Sequence, residues 1–555
     1  MLCSHCNRPD DGSDFIDLSQ LKYTKSKCPI NEASCEVCQE ILEAEKNVED
    51  AVARLRDALS RHQHLKTQMN HAHSPIIHAL PVELVIKIFY SCFSKGMWEE
   101  DGQPVPEDAL VPLKIGVVCR TWRQVALSLP ELWTVITLRR KSYPTAAYAL
   151  DQYAITTTYI PRSGALPLYV FLLDELEEEL EEEDQDQDEM EYWKMSLGLV
   201  AQCSYRWKDV TMELSEDSYI HITSQNLQPP NRHLTLGSEC WGFDLRQHKL
   251  WQESRSGPYH VTLKSPIMFS DFIIDWKRVI RFQAEYWSTK DCLTLLKNAP
   301  QLVTCSFTYV SKSQIAEPQH LTHNSLRELS FHTNCLASDF FDHISLKNME
   351  KFEHSLNPRG LRGMQDAPPM LLRFFKRSRF PLTKLSLDAS VFTAGDSVPI
   401  LNTVPSLIHL LMHFSDSLNR GDSDSKIWME SFFQHLVAMD TSTSEGGGSL
   451  LPRLERLEFS GKVLEIPWNS VLAIFADPSD PNTAERRPLK TLIFDPDTSV
   501  PAPVMDLPVE TVARLISLRD AGINIIYRVY LGKGILFPAT NWESVVFELM
   551  SDSFD

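Results

Sequence analysis

The sequence predicts a mixed helix-and-strand protein (α+β or α/β) in three parts: a long N-terminal helix, a small all-helical module and a C-terminal α/β solenoid. Three observations predict it. Residues 35–70 repeat apolar side chains at heptad spacing, residues 80–133 carry two short apolar stripes at helical spacing, and a spaced apolar triplet recurs from Trp207 onward. At 555 residues the chain is long enough for two to four domains and a large buried core.

Composition and charge place the chain among ordinary globular proteins, with 43% hydrophobic and 23% charged residues. The net charge of −20 is concentrated, because thirteen acidic residues lie in the segment 174–191, which predicts a solvated surface insertion. The sequence contains no basic cluster of the kind that indicates nucleic-acid binding. No run approaches eighteen apolar residues, so we expect no membrane span. The N-terminus lacks the pattern of a secretory signal, and we expect a cytoplasmic or nuclear protein.

Two pairs of cysteines near the N-terminus have the spacing of zinc ligands. Cys3 and Cys6 form one C-x-x-C pair, Cys35 and Cys38 form the other, and 28 residues separate them. Each pair can present two thiolates to one tetrahedral Zn²⁺. The separation exceeds the commonest four-cysteine spacing, and the second pair opens a helix. The sequence therefore favours thiols in a flexible segment over 1–34, with a structural zinc site as the alternative and no other cofactor expected.

The segment 35–73 predicts one long helix. Six of its apolar residues fall on a heptad grid: Ile41, Val48, Val52, Leu55, Leu59 and Met69. Glu45 interrupts this seam early, and His62 and Lys66 interrupt it late. Three imperfect heptads predict either self-association through a short coiled coil or a helix that packs on the neighbouring module.

The first stripe of the helical module, predicted over 74–138, begins at Pro81. Proline suits the first turn of a helix, because its missing N–H has no intrahelical partner there. Leu84, Ile88 and Phe89 follow at helical spacing and form an apolar stripe. Such a small unit exposes much of its apolar surface unless the rest of the chain or a partner helix covers it.

The second stripe lies on a later helix, where Val118, Trp122 and Val125 recur with Arg120 and Arg123 between them. The connection to this helix, 94–109, contains Gly102, Pro104 and Pro106, and we interpret it as an inserted loop.

The sequence of this module resembles an F-box, the helical module that binds a Skp adaptor and thereby joins a cullin-type ubiquitin ligase. The matches to L-P-x-E-[LI], to I-[FL] and to V-C-[KR]-x-W-R are Leu80, Pro81, Glu83, Leu84, Ile88, Phe89, Val118, Cys119, Arg120, Trp122 and Arg123. The resemblance implies an adaptor-binding set of Leu80, Pro81, Glu83, Leu84, Ile88, Phe89, Val118, Cys119 and Trp122. The alternative is an ordinary helical hairpin that has these letters by chance.

The segment 139–555 repeats an apolar triplet of the form L-x-x-L-x-L. Its instances are Trp207-Val210-Met212, Leu302-Cys305-Phe307, Leu326-Leu329-Phe331, Met349-Phe352-His354, Leu382-Leu385-Leu387, Leu407-Leu410-Met412, Leu454-Leu457-Phe459 and Leu489-Leu492-Phe494. Several starts are 23 to 25 positions apart, which is the period of leucine-rich repeats.

Each short strand should point two triplet side chains into a core that stacked turns share. We expect a leucine-rich-repeat-like solenoid with an acidic insertion at 174–191 and a flexible loop at 440–450. An unrelated α/β domain with leucine-rich strands is the alternative.

The order of these parts resembles F-box proteins of mushroom-forming (basidiomycete) fungi. That resemblance implies a non-catalytic substrate-recognition subunit of a Skp–cullin–F-box ubiquitin ligase, whose partners are the Skp adaptor, through it a cullin, and an unknown protein target on the concave strand face or its loops. The alternative is a leucine-rich interaction scaffold with no ligase role. The sequence contains no G-x-S-x-G, H-E-x-x-H or G-x-x-x-x-G-K-[ST] motif, so we expect no enzyme activity.

Overall fold

The computed structural model of the chain describes most of its length. The described residues are 36–73, 80–93, 105–141, 145–174, 187–225, 227–238, 251, 257–264, 267, 269, 273–313, 320–356, 366–415, 424–441, 450–462, 465–475, 488–496, 508–531 and 535–539. The chain forms two compact units, residues 1–90 and residues 91–555. None of the helices in these described ranges is long and apolar enough to cross a membrane.

The first unit contains a long helix, α1 (Glu36–His73), and a short one, α2 (Val82–Ser91), whose last residue reaches the second unit. Helix α1 forms because the segment is rich in Ala, Glu, Arg, Lys and Leu, which are strong helix formers. Its acidic residues lie mainly in the N-terminal half and its basic residues in the C-terminal half, which suits the helix dipole. The long N-terminal helix predicted over 35–73 is thus confirmed.

The second unit begins with short helices that lead into the sheet. A 3₁₀ helix (Pro106–Leu110) runs directly into α3 (Val111–Gly116), and α4 (Arg120–Ser128) and a second 3₁₀ helix (Pro130–Trp133) follow. The loop predicted over 94–109 is therefore wrong at its end, where Pro106 begins a helix; the segment 94–104 lies outside the described residues. Proline at the first helical position explains the error, since it starts helices as readily as it occupies loops.

One large sheet dominates the second unit. Its strands are β1 (Val135–Arg140), β2 (Leu168–Asp174), β3 (Trp207–Glu213), β4 (His233–Gly237), β5 (His260–Leu263), β6 (Arg281–Glu285), β7 (Thr304–Val310), β9 (Glu328–Thr333), β11 (Lys351–Leu356), β12 (Lys384–Asp388), β13 (His409–Phe414), β14 (Arg456–Gly461), β15 (Thr491–Pro496), β16 (Asn524–Leu531) and β17 (Ile535–Ala539). They lie side by side in chain order. All neighbours are parallel except β16 and β17. Strands β8 (Leu321–His323) and β10 (Ile344–Leu346) form a separate parallel pair.

Parallel neighbours require crossover connections, and helices supply most of them. These are α5 (Ala146–Arg162), α6 (Gln187–Gln202), α7 (Glu216–Thr223), α8 (Thr289–Asn298), α9 (Ser338–Phe341), α10 (Ala367–Ser378), α11 (Ala394–Leu401), α12 (Asp424–Thr441), α13 (Trp468–Ala473) and α14 (Val509–Asp520). The helices α5 to α7 and α8 to α14 pack side by side in sequence order, so a layer of helices accompanies the layer of strands. The prediction of a mixed helix-and-strand protein is confirmed.

The core lies on one face of the sheet, and the predicted triplets fill it. Every residue of the eight triplets is buried. The second and third residues of each triplet lie two positions apart on one strand, so both point to the same face of the sheet. The strands are in register, so equivalent side chains form rows across the sheet; one row is Leu329, Phe352, Leu385, Leu410, Leu457 and Leu492. The next row contains several aromatic rings, and the ring centroids of Phe307 and Phe331 in it are 5.9 Å apart. Stacking of successive strands thus buries what a single strand would expose.

His354 occupies a core position that apolar residues hold on neighbouring strands. It is opposite Phe331 and Leu387 in the register, and its side chain contacts the rings of Phe331 and Phe341. Burial, and to a smaller extent the nearby His332, lower the pKa of His354 to about 3. The imidazole is therefore neutral in the folded protein at physiological pH.

We expect the His354→Leu variant to lose less stability than the wild type when the pH is lowered. The folded pKa lies below the unfolded value near 6.5, so the unfolded chain binds the extra proton and stability falls as pH drops below 6.5, by about 1.4 kcal/mol per pH unit until about pH 3. Between pH 7.5 and pH 5 the wild type should lose about 2 kcal/mol more than the variant in urea unfolding. His64→Leu, on the exposed face of α1, is the control, and an identical pH slope in all three proteins would contradict the assignment.

The acidic insertion predicted over 174–191 is wrong at both ends. Asp174 ends β2, and residues 187–191 form the first turns of α6, where Glu189 is buried. The flexible loop predicted over 440–450 is likewise wrong at both ends, since α12 extends to Thr441 and Leu450 is buried. The segments 175–186 and 442–449 lie outside the described residues.

Candidate functional site

Helix α2 has two apolar faces with different surroundings. Val85 and Phe89 are one helical turn apart and buried, whereas Leu84 and Ile88, also one turn apart, are 43% and 37% exposed. The single stripe predicted from Leu84, Ile88 and Phe89 is therefore wrong, because adjacent helical residues point about 100° apart. The face with Leu84 and Ile88 is therefore exposed, and the face with Val85 and Phe89 is buried.

Three other residues of the predicted adaptor-binding set, Leu80, Pro81 and Glu83, lie at the start of α2. The carbonyl oxygen of Pro81 accepts hydrogen bonds from the backbone N–H groups of Leu84 (3.0 Å) and Val85 (3.2 Å), so Pro81 precedes the helix as its cap rather than lying in its first turn. Leu80 is half-buried, and Pro81 and Glu83 are exposed. Glu83 lies in the first turn, where a carboxylate suits the positive end of the helix dipole.

The connection between α3 and α4 exposes a second group of apolar side chains. Leu110, Leu113, Val117 and Val118 are all exposed, and Val117 is 72% exposed. Their neighbours Val111 and Ile115 are buried, so the exposed residues form the outer side of this helical corner. Leu110, Leu113 and Val117 were not predicted as site residues, although their helical spacing of three and four is the signal that could have found them.

The last predicted residues hold α4 in place rather than forming one stripe. Val118 lies in the turn before α4, so it does not share that helix with Trp122, which is half-buried. The Cys119 sulfur accepts a hydrogen bond from the Trp122 backbone N–H (3.4 Å) and caps α4. The Arg123 guanidinium donates from Nε to the Gly116 carbonyl oxygen (2.7 Å) at the end of α3. Cys119 therefore caps α4, and Arg123 joins α4 to the end of α3.

Buried contacts tie this corner to the 3₁₀ helix that leads into the first strand and to α5. The Trp133 indole N–H donates to the Ala126 carbonyl oxygen (2.9 Å), and its ring meets the Tyr159 ring edge-on with centroids 4.9 Å apart. The Tyr159 hydroxyl donates to the Ala109 carbonyl oxygen (2.5 Å), and burial raises the pKa of this hydroxyl well above its usual value. Buried, satisfied polar groups thus hold the exposed apolar corner to the 3₁₀ helix that precedes β1 and to α5.

The sheet face opposite the core is lined by polar side chains that interact between strands. The His332 ring is within hydrogen-bond distance of the hydroxyls of Ser330 (2.8 Å) and Ser355 (2.5 Å), and the Ser330 hydroxyl also donates to Glu353 (3.2 Å). An open cavity of about 300 Å³ lies on this face and is lined by residues that include Ser306, Ser330, Lys351, Glu353, Lys384 and Ser386. Hydroxyls and charges of both signs make this face suited to polar recognition.

Glu458 is the most strongly held carboxylate of this face. It lies 3.4 Å from His409 Nε2, 3.0 Å from Arg456 and 3.8 Å from Arg528. Contact with His409 and then with Arg456 lowers the pKa of Glu458 to about 2, although burial opposes the shift. The carboxylate therefore stays ionised at physiological pH, and its charge is paired with those of Arg456 and Arg528.

Two tyrosines stack at one end of the same sheet. Tyr286 follows β6 and Tyr309 lies in β7, and their rings are nearly parallel with centroids 4.9 Å apart. Both have positive φ, 60° and 57°, a conformation that costs non-glycine residues roughly 1–2 kcal/mol. Such local strain often accompanies functional sites, and tyrosine is enriched in protein interfaces.

Of the four cysteines proposed as zinc ligands, only Cys38 lies among the described residues. Cys3, Cys6 and Cys35 lie outside the described residues, and Cys38 is half-buried in the first turns of α1. Among the residues that the structure describes, no group of three or more His, Cys, Asp or Glu side chains is arranged to hold a metal ion.

A scan of the chain against protein-family models finds no match, and a search of curated proteins finds none either.

Proposed function

We propose that the protein is a non-catalytic substrate-recognition subunit of a Skp–cullin–F-box ubiquitin ligase. In this proposal the module 74–138 is an F-box that binds the Skp adaptor, and the segment 139–555 is a leucine-rich-repeat-like solenoid that binds a protein target. The observation that carries the proposal is the exposure of apolar side chains at the positions where the sequence resembles an F-box, above all Leu84 and Ile88.

Exposed apolar groups support adaptor binding for a physical reason. Exposure of large apolar side chains to water is unfavourable. Burial of these side chains against a partner would stabilise the complex by about 25 cal/mol per Å² of apolar surface buried. Leu84 and Ile88 offer such a surface on α2, and Leu110, Leu113 and Val117 offer another at the corner of α3 and α4. A helical partner with an apolar groove would fit either group.

The mechanism we propose is proximity. An adaptor bound at Leu110, Leu113 and Val117 would be held in a fixed position relative to the sheet, because the buried hydrogen bonds of Trp133 and Tyr159 join the α3–α4 corner to the 3₁₀ helix that leads into β1 and to α5. A target bound on the sheet would then stay close to the ubiquitin-loaded enzyme. Holding two reactants together converts a bimolecular encounter into an effectively intramolecular one.

The polar face of the sheet is the proposed target surface. The cavity beside Ser330 and Glu353, the ionised Glu458 and the stacked pair Tyr286 and Tyr309 all lie on strands β6 to β14 or directly after them. Aromatic rings supply contact area and fixed charges supply specificity in protein interfaces. We therefore expect a polar or charged segment of a protein target to bind there.

The alternative is a leucine-rich scaffold with no ligase role. Purification of the full chain from cells that express Skp and cullin distinguishes the two: we expect both proteins to co-purify, and expect Leu80→Ala/Pro81→Ala to lose both while remaining folded. A folded wild-type chain that recovers neither protein would contradict the F-box assignment. Recovery of Skp without cullin would favour the scaffold.

A further inference from the structure

Helix α1 carries an apolar stripe that is exposed to solvent. Ile41, Val48, Leu55, Leu59 and Met69 are each between 41% and 53% exposed, and none of the described side chains of this helix is buried. Ile41, Val48, Leu55 and Met69 share one core position of the heptad and Leu59 occupies the other, and together they span about 42 Å of helix. An apolar stripe of this form fits a second helix.

The charges of α1 identify that second helix and its direction. Between Glu36 and Asp50 six acidic residues accompany one lysine, whereas between Ala51 and His73 three arginines and a lysine accompany one aspartate. A second copy of α1 that runs antiparallel places the acidic half of one helix against the basic half of the other. A parallel copy would place like charges together along the whole length.

We propose that α1 joins two copies of this chain in an antiparallel coiled coil, in which paired core residues have numbers that sum to 107. In this register Val52 lies opposite Leu55 of the second copy, and Val48 lies opposite Leu59. Four apolar layers therefore stack at the centre of the helix, since each pairing occurs twice. The interface is distinct from the adaptor and target surfaces proposed above.

The polar residues that interrupt the heptads support this register. Glu45 lies opposite His62 of the second copy, and Ile41 lies opposite Lys66, whose aliphatic stem can cover it. A parallel pair in register would instead place Glu45 against Glu45 and Lys66 against Lys66. The flanking positions agree, because all residues at position g from Val37 to Leu65 are uncharged and offer no ion pairs to a parallel partner.

Further flanking positions match across the antiparallel pair. Glu49 lies near Arg56 of the second copy, so opposite charges meet along one edge. Ala51 lies near Ala58 along the other edge, where small side chains let the helices approach closely. A dimer of this kind would carry two target surfaces, which raises the avidity for targets with two binding segments.

Disulfide trapping in the full-length chain tests the register. We expect the protein to have the mass of a dimer in light scattering, and we expect the oxidised Met69→Cys variant to yield a cross-link between Cys38 and the introduced cysteine in peptide mapping. That link is intermolecular, because Cys38 and Met69 of one helix are about 47 Å apart. A Cys38–Cys38 link in the wild type would show a parallel pair, and a monomer without either link would show that something else covers the stripe; both results overturn the proposal.

A charge exchange tests the same interface without cysteines. Glu45→Lys places a lysine opposite His62, and we expect the dimer dissociation constant to rise by about tenfold or more. Glu45→Lys/His62→Glu restores opposite charges and should recover the dimer. Glu43→Lys, on the outer face of the helix, is the control and should leave the dimer unchanged. Equal weakening by Glu43→Lys, or no recovery in the double variant, contradicts the proposed layers.

Discussion

Replacement of Leu84 and Ile88 by aspartate should reduce the affinity of the chain for Skp by at least about 100-fold, which corresponds to about 2.7 kcal/mol. Both side chains are exposed on α2, so the change adds no charge to the core. In the proposed complex, however, two carboxylates would enter an apolar interface without partners, and an unpaired buried charge costs several kcal/mol. Calorimetric titration of the purified variant with Skp measures the loss.

The double variant Ile427→Asp/Val509→Asp is the matched control. It introduces the same two charges at exposed apolar positions on α12 and α14, and we expect wild-type affinity. Thermal unfolding of both variants should stay close to that of the wild type, since surface substitutions usually change stability by less than about 0.5 kcal/mol. A folded Leu84→Asp/Ile88→Asp variant with wild-type affinity would show that this face of α2 does not bind the adaptor.

The sequence predicted the sheet better than it predicted the site, and α2 shows why. The triplets place two side chains of each strand in the core, and a period of two can be recognised from the sequence alone. On α2, Leu84 with Ile88 and Val85 with Phe89 are equally good helical pairs. The tertiary contacts of the helix decide which pair is buried, and these contacts are not visible in local spacing.

The acidic segment is a second case in which the sequence could not predict burial, here because the prediction rested on composition. A run of carboxylates predicts a solvated loop, and that prediction holds for a residue only while no distant cation reaches it. Glu189 is paired with Arg140, 49 residues earlier in the chain, and the pair is buried. Nothing within the run distinguishes Glu189 from its neighbours, because the distinguishing contact is long-range.

Glu189→Ala should destabilise the second unit by about 3–5 kcal/mol, the usual cost of leaving one member of a buried ion pair alone. The Arg140 guanidinium donates from Nε and a terminal nitrogen to both oxygens of Glu189, at 3.1 and 3.2 Å, and the two residues are only 3% and 1% exposed. Without the carboxylate, a charged group at the end of β1 would remain buried without its anion. Urea unfolding measures the change.

Two further variants test whether the lost stability comes from the ion pair or from the packing of α6, the helix that carries Glu189. Glu191→Ala lies two residues later on α6 and is exposed, so its effect should stay within about 0.5 kcal/mol. Arg140→Met/Glu189→Met removes both charges and keeps apolar volume, and it should recover most of the lost stability, since apolar replacements of buried ion pairs are often neutral. If the double variant is as unstable as Glu189→Ala, the loss comes from packing around α6, and the pair is not what fixes α6 to the edge of the sheet.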